Sequence, residues 1–328
     1  MSPSPIAATK IIIDTDPGGD DIFAILWALS LVRQQHAELV AITTAVGNVA
    51  AHQTFRNSNQ ILELTGFSNI PVGRGVLIQE DSKDAAHIHG ADGMGNLSRI
   101  LPPSTSDYES AIMADELLIE QLNSNPGTIT IVAIGPLTNL AAAEIKQPGI
   151  LKQAKEVVVM GGAFHCSGNV TPIAEFNVWF NPKAAQVVFD SRDDIVVLPL
   201  DVTQNLVFTQ EMAKAVIEPN PHSQLARFIV QLCQFMVETA LKYRETSGEL
   251  GFLIHDAATL GYLFYPDTLV MQRAKIRIET QGEWTKGQAL IDTRQCAKPN
   301  SNAWVALQVD AIKFFTNFIE DLKYLIAE

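Results

Sequence analysis

Short runs of Val and Ile alternate with amphipathic segments from the N-terminal region to residue 198, and no other feature constrains the fold as much. The apolar runs have the length and composition of strands that are buried on both faces. We predict strands over residues 10–13, 39–44, 128–134, 156–160 and 195–198, and helices over residues 21–32, 49–64, 108–122 and 139–145. Strands that alternate with helices predict an α/β fold with a mostly parallel central sheet flanked by helices.

No repeat or low-complexity linker interrupts this pattern, so we predict one large domain over residues 1–328. The expected architecture is an open, Rossmann-like sheet with its active site at the carboxyl ends of the strands. Two segments depart from the pattern. Residues 79–106 are polar and rich in turns, which predicts a mobile loop, and residues 220–250 predict a helical rim. Both segments are expected to border the active site.

Charge and cysteine usage exclude several classes of protein. The 328 residues carry 36 acidic and 23 basic side chains, a formal net charge of −13, which argues against nucleic acid as a partner. Cys166, Cys233 and Cys296 are far apart in sequence, which favours a reducing compartment. No apolar run reaches the length of a membrane span, and residues 1–10 lack the pattern of a signal peptide. We therefore expect a cytoplasmic protein without a membrane partner.

The strongest local motif is Asp-Thr-Asp-Pro-Gly-Gly-Asp-Asp at residues 14–21, directly after the first predicted strand. Four carboxylates so close together repel one another unless a cation or buried hydrogen bonds compensate. Carboxylates without nearby Cys or paired His suit a hard ion, Ca²⁺ or Mg²⁺, rather than Zn²⁺. The alternative is a solvated acidic turn in which Asp20 or Asp21 only caps the following helix.

Phosphoryl transfer is a further alternative, because an Asp-x-Asp motif after a first strand also opens phosphatases of the haloacid dehalogenase type. Those enzymes carry Thr or Val where this chain has Gly18. The chain also lacks a phosphate-binding loop with the pattern Gly-Lys-Ser/Thr. Phosphoryl transfer is therefore the weaker interpretation.

The motif at residues 14–21 resembles the signature of the nucleoside hydrolases, which cleave the N-glycosidic bond of ribonucleosides. Further matches extend to about residue 260 in family order. They comprise Thr-Thr-Ala-Val-Gly-Asn at 43–48, Ala-Ile-Gly-Pro-Leu-Thr-Asn at 133–139, Met-Gly-Gly-Ala at 160–163, Gly-Asn-Val-Thr-Pro at 168–172, Ala-Glu-Phe-Asn at 174–177 and His-Asp at 255–256. These segments follow predicted strands or begin helices, where a site belongs.

The resemblance implies a Ca²⁺-dependent hydrolase in which a metal-bound water attacks the sugar. It places the ion between Asp16, Asp21, Asp256 and the backbone carbonyl of Ile134. Asp16 also becomes the general base that takes the proton of the water. Asp14 is expected to support these ligands rather than to bind the ion.

The resemblance also assigns residues to the substrate. The expected substrate-binding residues are Asp20, Asn48, His89, Met160, Asn169, Glu175, Phe176 and Asn177. His255 would protonate the departing base, since an imidazole titrates near neutrality. A His directly before Asp256 resembles the inosine–uridine and pyrimidine-preferring members, whereas purine-specific members have an aromatic residue there. We therefore expect a specificity that includes pyrimidine ribonucleosides.

Two other functions stay open at this point. The first is a hydrolase of another N-ribosyl compound, such as a cytokinin or nicotinamide riboside. The second is a catalytically silent protein that binds calcium or ribose. Family members form homodimers and homotetramers and take part in base salvage. We therefore expect a homo-oligomer, a dimer or a tetramer, whose partner is a small-molecule ribonucleoside substrate.

Overall fold

The computed structural model describes residues 8–77, 84–246, 248–292, 294 and 300–327 of the chain. Within these ranges the strands are β1 (Thr9–Thr15), β2 (Ala37–Thr44), β3 (Val72–Gly73), β4 (Ile129–Ala133), β5 (Glu156–Met160), β6 (Ile195–Leu198), β7 (Val207–Thr209), β8 (Gly251–Leu253), β9 (Leu269–Ile278), β10 (Ala289–Asp292) and β11 (Ala303–Val309). The α-helices are α1 (Gly19–Arg33), α2 (Ala51–Thr65), α3 (Ala86–His89), α4 (Ala114–Ser124), α5 (Thr138–Lys146), α6 (Phe176–Phe180), α7 (Pro182–Ser191), α8 (Leu200–Thr203), α9 (Gln210–Ile217), α10 (Gln224–Tyr243), α11 (Ala257–Phe264) and α12 (Ala311–Ile326).

The central sheet of the described chain has nine strands in the order β10-β9-β11-β6-β5-β4-β1-β2-β3. Neighbours from β3 to β11 run parallel, whereas β9 is antiparallel to both β11 and β10. The chain leaves β1 toward β2 and β3 on one side and continues through β4, β5 and β6 on the other. The strand order therefore reverses between β1 and β4, and ligands of open α/β sheets bind at the carboxyl end of such a reversal.

Strand β1 shows why the predicted strands read as unbroken apolar runs. Ile11, Ile12 and Ile13 are all fully buried. Ile11 and Ile13 pack in the same core cluster as Trp27 of α1, and Ile12 packs in the cluster on the opposite face with Leu140 of α5. A strand covered on both faces has no solvent side, so every position is apolar. The predicted α/β fold with a mostly parallel sheet flanked by helices is confirmed.

The main differences from the prediction lie at element ends, in the unpredicted helices α6 and α7, and beyond residue 198. The helix predicted over 108–122 begins only at Ala114, because Met113 forms a bridge with Arg74 beside β3. Strands β9 and β11 were not predicted. In β9, Ala274, Ile276 and Ile278 are buried and charged residues stand between them. This alternation is typical of an antiparallel strand with one exposed face, and it is a weaker signal than an apolar run.

The segment predicted as a mobile loop is described from residue 84 onward, and residues 79–83 lie outside the described residues. The part beyond α3 is organised by one carboxylate. Asp92 accepts hydrogen bonds from the backbone N–H groups of Met94, Asn96 and Ser98, each at 2.8 Å. The backbone N–H of Gly95 donates to the His89 carbonyl at 2.8 Å. These bonds connect the turn directly to the end of α3.

The segment predicted as a helical rim contains α10, which Ser223 caps by accepting a hydrogen bond from the backbone N–H of Ala226. The helix ends at Tyr243 and is capped by Arg244, whose φ of 60° places it in the left-handed region. Neither α10 nor any other helix in the described ranges is both long and apolar enough to cross a bilayer.

Candidate active site

The turn after β1 folds the acidic motif back against the start of α1. Asp21 accepts hydrogen bonds from the Thr15 hydroxyl at 2.6 Å and from the Gly18 backbone N–H at 3.0 Å. Gly18 is the N-cap of α1 and Asp21 is its N3 residue, so the bond from the Gly18 N–H is the half of a capping box that the N3 side chain makes. All four aspartates of the motif are nevertheless buried. The motif is therefore not a solvated turn.

Asp16 lies in a slot between two glycines. Its Oδ2 accepts a hydrogen bond from the backbone N–H of Asn48 at 2.7 Å. A Cβ added to Gly47 would lie 2.0 Å from this oxygen, and a Cβ added to Gly135 would lie 2.6 Å from Oδ1. Gly47 follows β2 and Gly135 follows β4, so the ends of both neighbouring strands form the walls of the slot. A side chain at either glycine would displace the carboxylate.

Three carboxylates converge beside this slot. Asp20, Asp21 and Asp256 each offer an oxygen, and these oxygens lie within 4.8 Å of one another. Burial raises the pKa of all three, and repulsion from Asp20 and Asp21 adds to the effect on Asp256. A divalent cation would offset this repulsion, and an all-oxygen donor set is the kind that Ca²⁺ and Mg²⁺ prefer. The residues present therefore fit a hard divalent cation.

Two predicted ligands stand slightly apart from this set. Asp16 and Ile134 line the same cavity, but Asp20 rather than Asp16 completes the group of three converging carboxylates. The pKa of Asp16 is also raised well above its usual range, first by burial and then by the neighbouring Asp21 and Asp20. Asp16 thus shares the electrostatic environment of the cluster.

Glu175 and Asn177 are fixed by the turns that follow β4 and β5. The Glu175 carboxylate caps α6 and accepts the backbone N–H groups of Gly162 at 2.9 Å and Asn177 at 2.7 Å. The Asn177 side-chain amide donates to the carbonyls of Ile134 at 3.0 Å and Met160 at 3.2 Å. These contacts join two adjacent strand ends through polar groups that also line the cavity.

Asn169 and Phe176 lie nearer the mouth of the cavity. Asn169 is exposed, and its Oδ1 accepts the backbone N–H of Phe176 at 2.9 Å. The Phe176 ring is half-buried, with its centroid 6.5 Å from that of Trp179, which also lines the cavity. This part of the site is therefore more open than the acidic cluster.

Asp14 lies behind the cavity rather than in its lining. Its Oδ1 accepts hydrogen bonds from the Thr43 hydroxyl at 2.6 Å and from the Asn139 side-chain amide at 2.8 Å. Its Oδ2 has no hydrogen-bond partner among the described residues. Complete burial raises the pKa of Asp14 to about 7, although both hydrogen bonds lower it. Asp14 thus ties β1 to β2 and to α5.

Two histidines line the same cavity. The Nδ1 atom of His89 accepts the backbone N–H of Gly19 at 2.9 Å, and that of His255 lies 2.8 Å from the Thr203 hydroxyl. Burial lowers the pKa of His89 to about 3 and that of His255 to about 4. Both rings are therefore neutral at pH 7 in the metal-free protein, with Nε2 as the ring nitrogen available to a substrate.

The cavity has a volume of about 1160 Å³, and the sequence analysis missed several of the residues that line it. The missed residues include Trp179, Gln204, Met236, Tyr243, Arg244 and Glu245. Met236 and Tyr243 are seven residues apart and so share a face of α10. This spacing was available in the sequence, but it does not show which face of the helix meets the site.

Comparison with known proteins gives one consistent result. The family model described as inosine-uridine preferring nucleoside hydrolase matches residues 11–316. The inosine-uridine preferring nucleoside hydrolase of Leishmania major is 35% identical over 317 residues, which cover 96% of this chain and 97% of that protein. Uridine nucleosidase 1 of Arabidopsis thaliana is 33% identical over 97% of this chain and 92% of its own length. The solved purine-preferring ribonucleoside hydrolase from Gardnerella vaginalis superposes with a TM-score of 0.88 at 28% identity, covering 97% of this chain and 99% of that one.

Proposed function

The chain belongs to the inosine-uridine preferring nucleoside hydrolase family and hydrolyses the N-glycosidic bond of ribonucleosides, and on this premise we propose that its reaction depends on Ca²⁺. The observation that carries the proposal is the convergence of Asp20, Asp21 and Asp256 within 4.8 Å in a buried cavity. Asp20 and Asp21 lie near the start of the family match, and Asp256 lies far along the chain from them. They meet at the carboxyl edge of the sheet, where the strand order reverses.

Four carboxylates and one carbonyl are the donors offered to the ion. Asp16, Asp21, Asp256 and the Ile134 carbonyl are the proposed ligands, and Asp20 is close enough to contact either the ion or the ribose. When bound, the ion lowers the pKa of a coordinated water and orients it toward the sugar.

We assign Asp16 as the general base. Water adds to the anomeric carbon of the ribose while the bond from that carbon to the base nitrogen breaks and its electron pair leaves with the base. The proton of the water passes to the Asp16 carboxylate. The backbone N–H of Asn48 holds Oδ2 of Asp16, and the glycine slot keeps the carboxylate from rotating away. A base held in one orientation costs little reorganisation during the reaction.

The ribose is proposed to lie between the turn that follows β2 and the segment that connects β5 to α6, which carry the polar residues named next. Asn48, Asn169, Glu175 and Asn177 line the cavity on this side, together with Met160 and Phe176. The buried members of this set, Asn48, Glu175 and Asn177, should discriminate strongly against sugars that lack a hydroxyl, because the unpaired group would remain buried.

His255 is the proposed donor to the departing base, with His89 as a second contact to the base. Because burial lowers the pKa of His255 to about 4, the expected titration near neutrality does not hold, and the proposed donor is the Nε2–H of a neutral imidazole. Both line the cavity and both have Nδ1 engaged by the protein, so Nε2 is the atom presented to a ligand. Because His255 precedes Asp256 directly, a base bound here lies beside the proposed ion site. A preference that includes pyrimidines is part of the proposal, since a uridine nucleosidase is among the relatives.

The test is a panel of uridine, cytidine, inosine, adenosine and guanosine, each assayed for free ribose with and without exhaustive chelation. We expect hydrolysis of uridine and inosine, its loss in chelator, and its return with Ca²⁺. Asp16→Asn should lower kcat by at least about 10³-fold, because it removes the base and a ligand together. Asp193→Asn makes the same charge change on an exposed side chain outside the cavity and should leave the rate unchanged.

Other outcomes separate the alternatives. Activity that persists in chelator contradicts the metal dependence. Turnover confined to another N-ribosyl compound shows a different substrate for the same chemistry. Binding of Ca²⁺ by calorimetry without turnover of any compound shows a silent binding protein.

A further inference from the structure

The short helix α8 lies between the two sides of the cavity. It follows β6, and the backbone N–H of Leu200 at its start donates to the Gly162 carbonyl at 2.9 Å. Leu200 and Gln204, at the two ends of this turn, line the cavity. Asp201 and Thr203, between them, do not line it, and their side chains bond to two other parts of the site.

Asp201 holds the segment of residues 163–175, which we call the ribose-side loop. Its carboxylate accepts the backbone N–H of Phe164 at 2.9 Å and that of His165 at 2.7 Å. Both donors belong to the start of the loop that carries Asn169 to the mouth of the cavity. Charge-assisted bonds to two successive N–H groups fix both the position and the direction of the backbone there.

Thr203 holds His255. Thr203 is fully buried, and its hydroxyl lies 2.8 Å from Nδ1 of His255. The backbone adds a second tie, because the N–H of Ile254 donates to the Leu206 carbonyl at 3.1 Å. A hydrogen bond on one ring nitrogen sets the orientation of an imidazole and determines which nitrogen faces a ligand.

We propose that Asp201 and Thr203 are positioning residues for the hydrolysis, and that α8 sets the ribose-side loop and His255 at a defined distance from each other. The inference rests on the proposed function, since it assigns Asn169 to the ribose and His255 to the base. Neither residue touches the substrate, so each acts through the group that it holds.

The first experiment compares Thr203→Val, which keeps the shape but removes the hydroxyl, with Thr203→Ser, which keeps the hydroxyl. We expect Thr203→Val to lower kcat for uridine by about 10- to 100-fold with little change in KM, and Thr203→Ser to stay within about threefold of the wild type. In a His255→Ala background the Thr203→Val change should have no further effect, because residues that act as a unit are not additive. A full kcat for Thr203→Val, or an equal loss in both backgrounds, overturns the proposal for Thr203.

The second experiment uses Asp201→Asn, which leaves one acceptor oxygen for the two N–H groups. We expect KM to rise by about tenfold with kcat within about threefold, and the rise to disappear in an Asn169→Ala background. Asn205→Ala is the matched control on the same turn, because its side-chain amide donates only to carbonyls of α8 in the described structure. An unchanged KM in Asp201→Asn, or a rise of the same size in both backgrounds, overturns the proposal for Asp201.

Two measurements separate this proposal from its premise. Wild-type protein is assayed first, and absence of turnover with every nucleoside refutes the proposed function and the positioning roles together. Wild-type turnover with additive double variants refutes the positioning roles alone. Calorimetric Ca²⁺ binding of each variant should match the wild type, because the described side-chain hydrogen bonds of Asp201 and Thr203 go to the ribose-side loop and to His255 rather than to the acidic cluster. A lost Ca²⁺ site would assign α8 a general structural role instead.

Discussion

The floor of the cavity and its rim are built in opposite ways. The floor is formed by Asp16, Asp21 and Asp256, which follow strand ends or begin helices and are at most 3% exposed. The rim is formed by the end of α10, where Tyr243 is 41% exposed. In the floor the polar groups of the site also bond the strand ends together, so chemistry and stability depend on the same contacts. In the rim the side chains project from a helix that packs into the core through other residues, among them Phe228 and Leu232.

This difference predicts that the largest losses of activity come from the floor. Asp21→Asn should lower kcat/KM by at least about 10³-fold, since it removes one charge of the proposed ion site. The rise in thermal unfolding midpoint that Ca²⁺ produces in the wild type should also disappear, because a ligand stabilises only a fold that binds it. A Ca²⁺-dependent shift equal to that of the wild type would contradict the assignment, and Asp193→Asn provides the control.

A smaller effect is expected where the floor meets a helix cap, and here stability and activity should fall together. The Glu175 carboxylate accepts backbone N–H groups of Gly162, Asn177 and Val178. Glu175→Gln leaves one acceptor oxygen and sets an amide against an N–H group, which should destabilise the protein by about 1–3 kcal/mol. Thermal unfolding and uridine hydrolysis should both report the change, whereas Glu120→Gln, on the exposed face of α4, should alter neither. An unchanged midpoint with lost activity would show that Glu175 acts only on the substrate.

The smallest effect on rate should come from the rim, with the opposite sign for stability. Arg244 has a φ of 60°, a conformation that glycine adopts without the strain of about 1 kcal/mol found in other residues. Arg244→Gly should raise the unfolding midpoint slightly and change the ratio of uridine to inosine hydrolysis by less than about tenfold. Lys242→Gly, two residues earlier and inside the helix, should lower the midpoint instead, because glycine there destabilises the helix by about 1 kcal/mol. A loss of all activity in Arg244→Gly would break the distinction between floor and rim.

The difference between floor and rim also explains how much of the fold and of the site could be predicted from the sequence. The strands from β1 to β6 and the motif of residues 14–21 were predictable, because burial on both faces forces unbroken apolar runs and a turn brings neighbouring aspartates together. The approach of Asp256 to that motif was inferred from family resemblance, since no local pattern reports a contact across the whole chain. The sequence predicted that residues 220–250 border the site, but it did not single out Met236 and Tyr243, because an amphipathic helix does not show which of its side chains reach the cavity. Asp201 and Thr203 look like ordinary helix residues in the sequence, and only the structure shows their partners.

The glycine slot around Asp16 also determines what can be transferred to another protein. Grafting residues 14–21 onto a different parallel sheet would supply the carboxylates but not the slot, because its walls are Gly47 and Gly135 on two other strand connections. A design that reproduces this site must therefore copy three loops and their spacing, with backbone and not side chains defining the space around the aspartate.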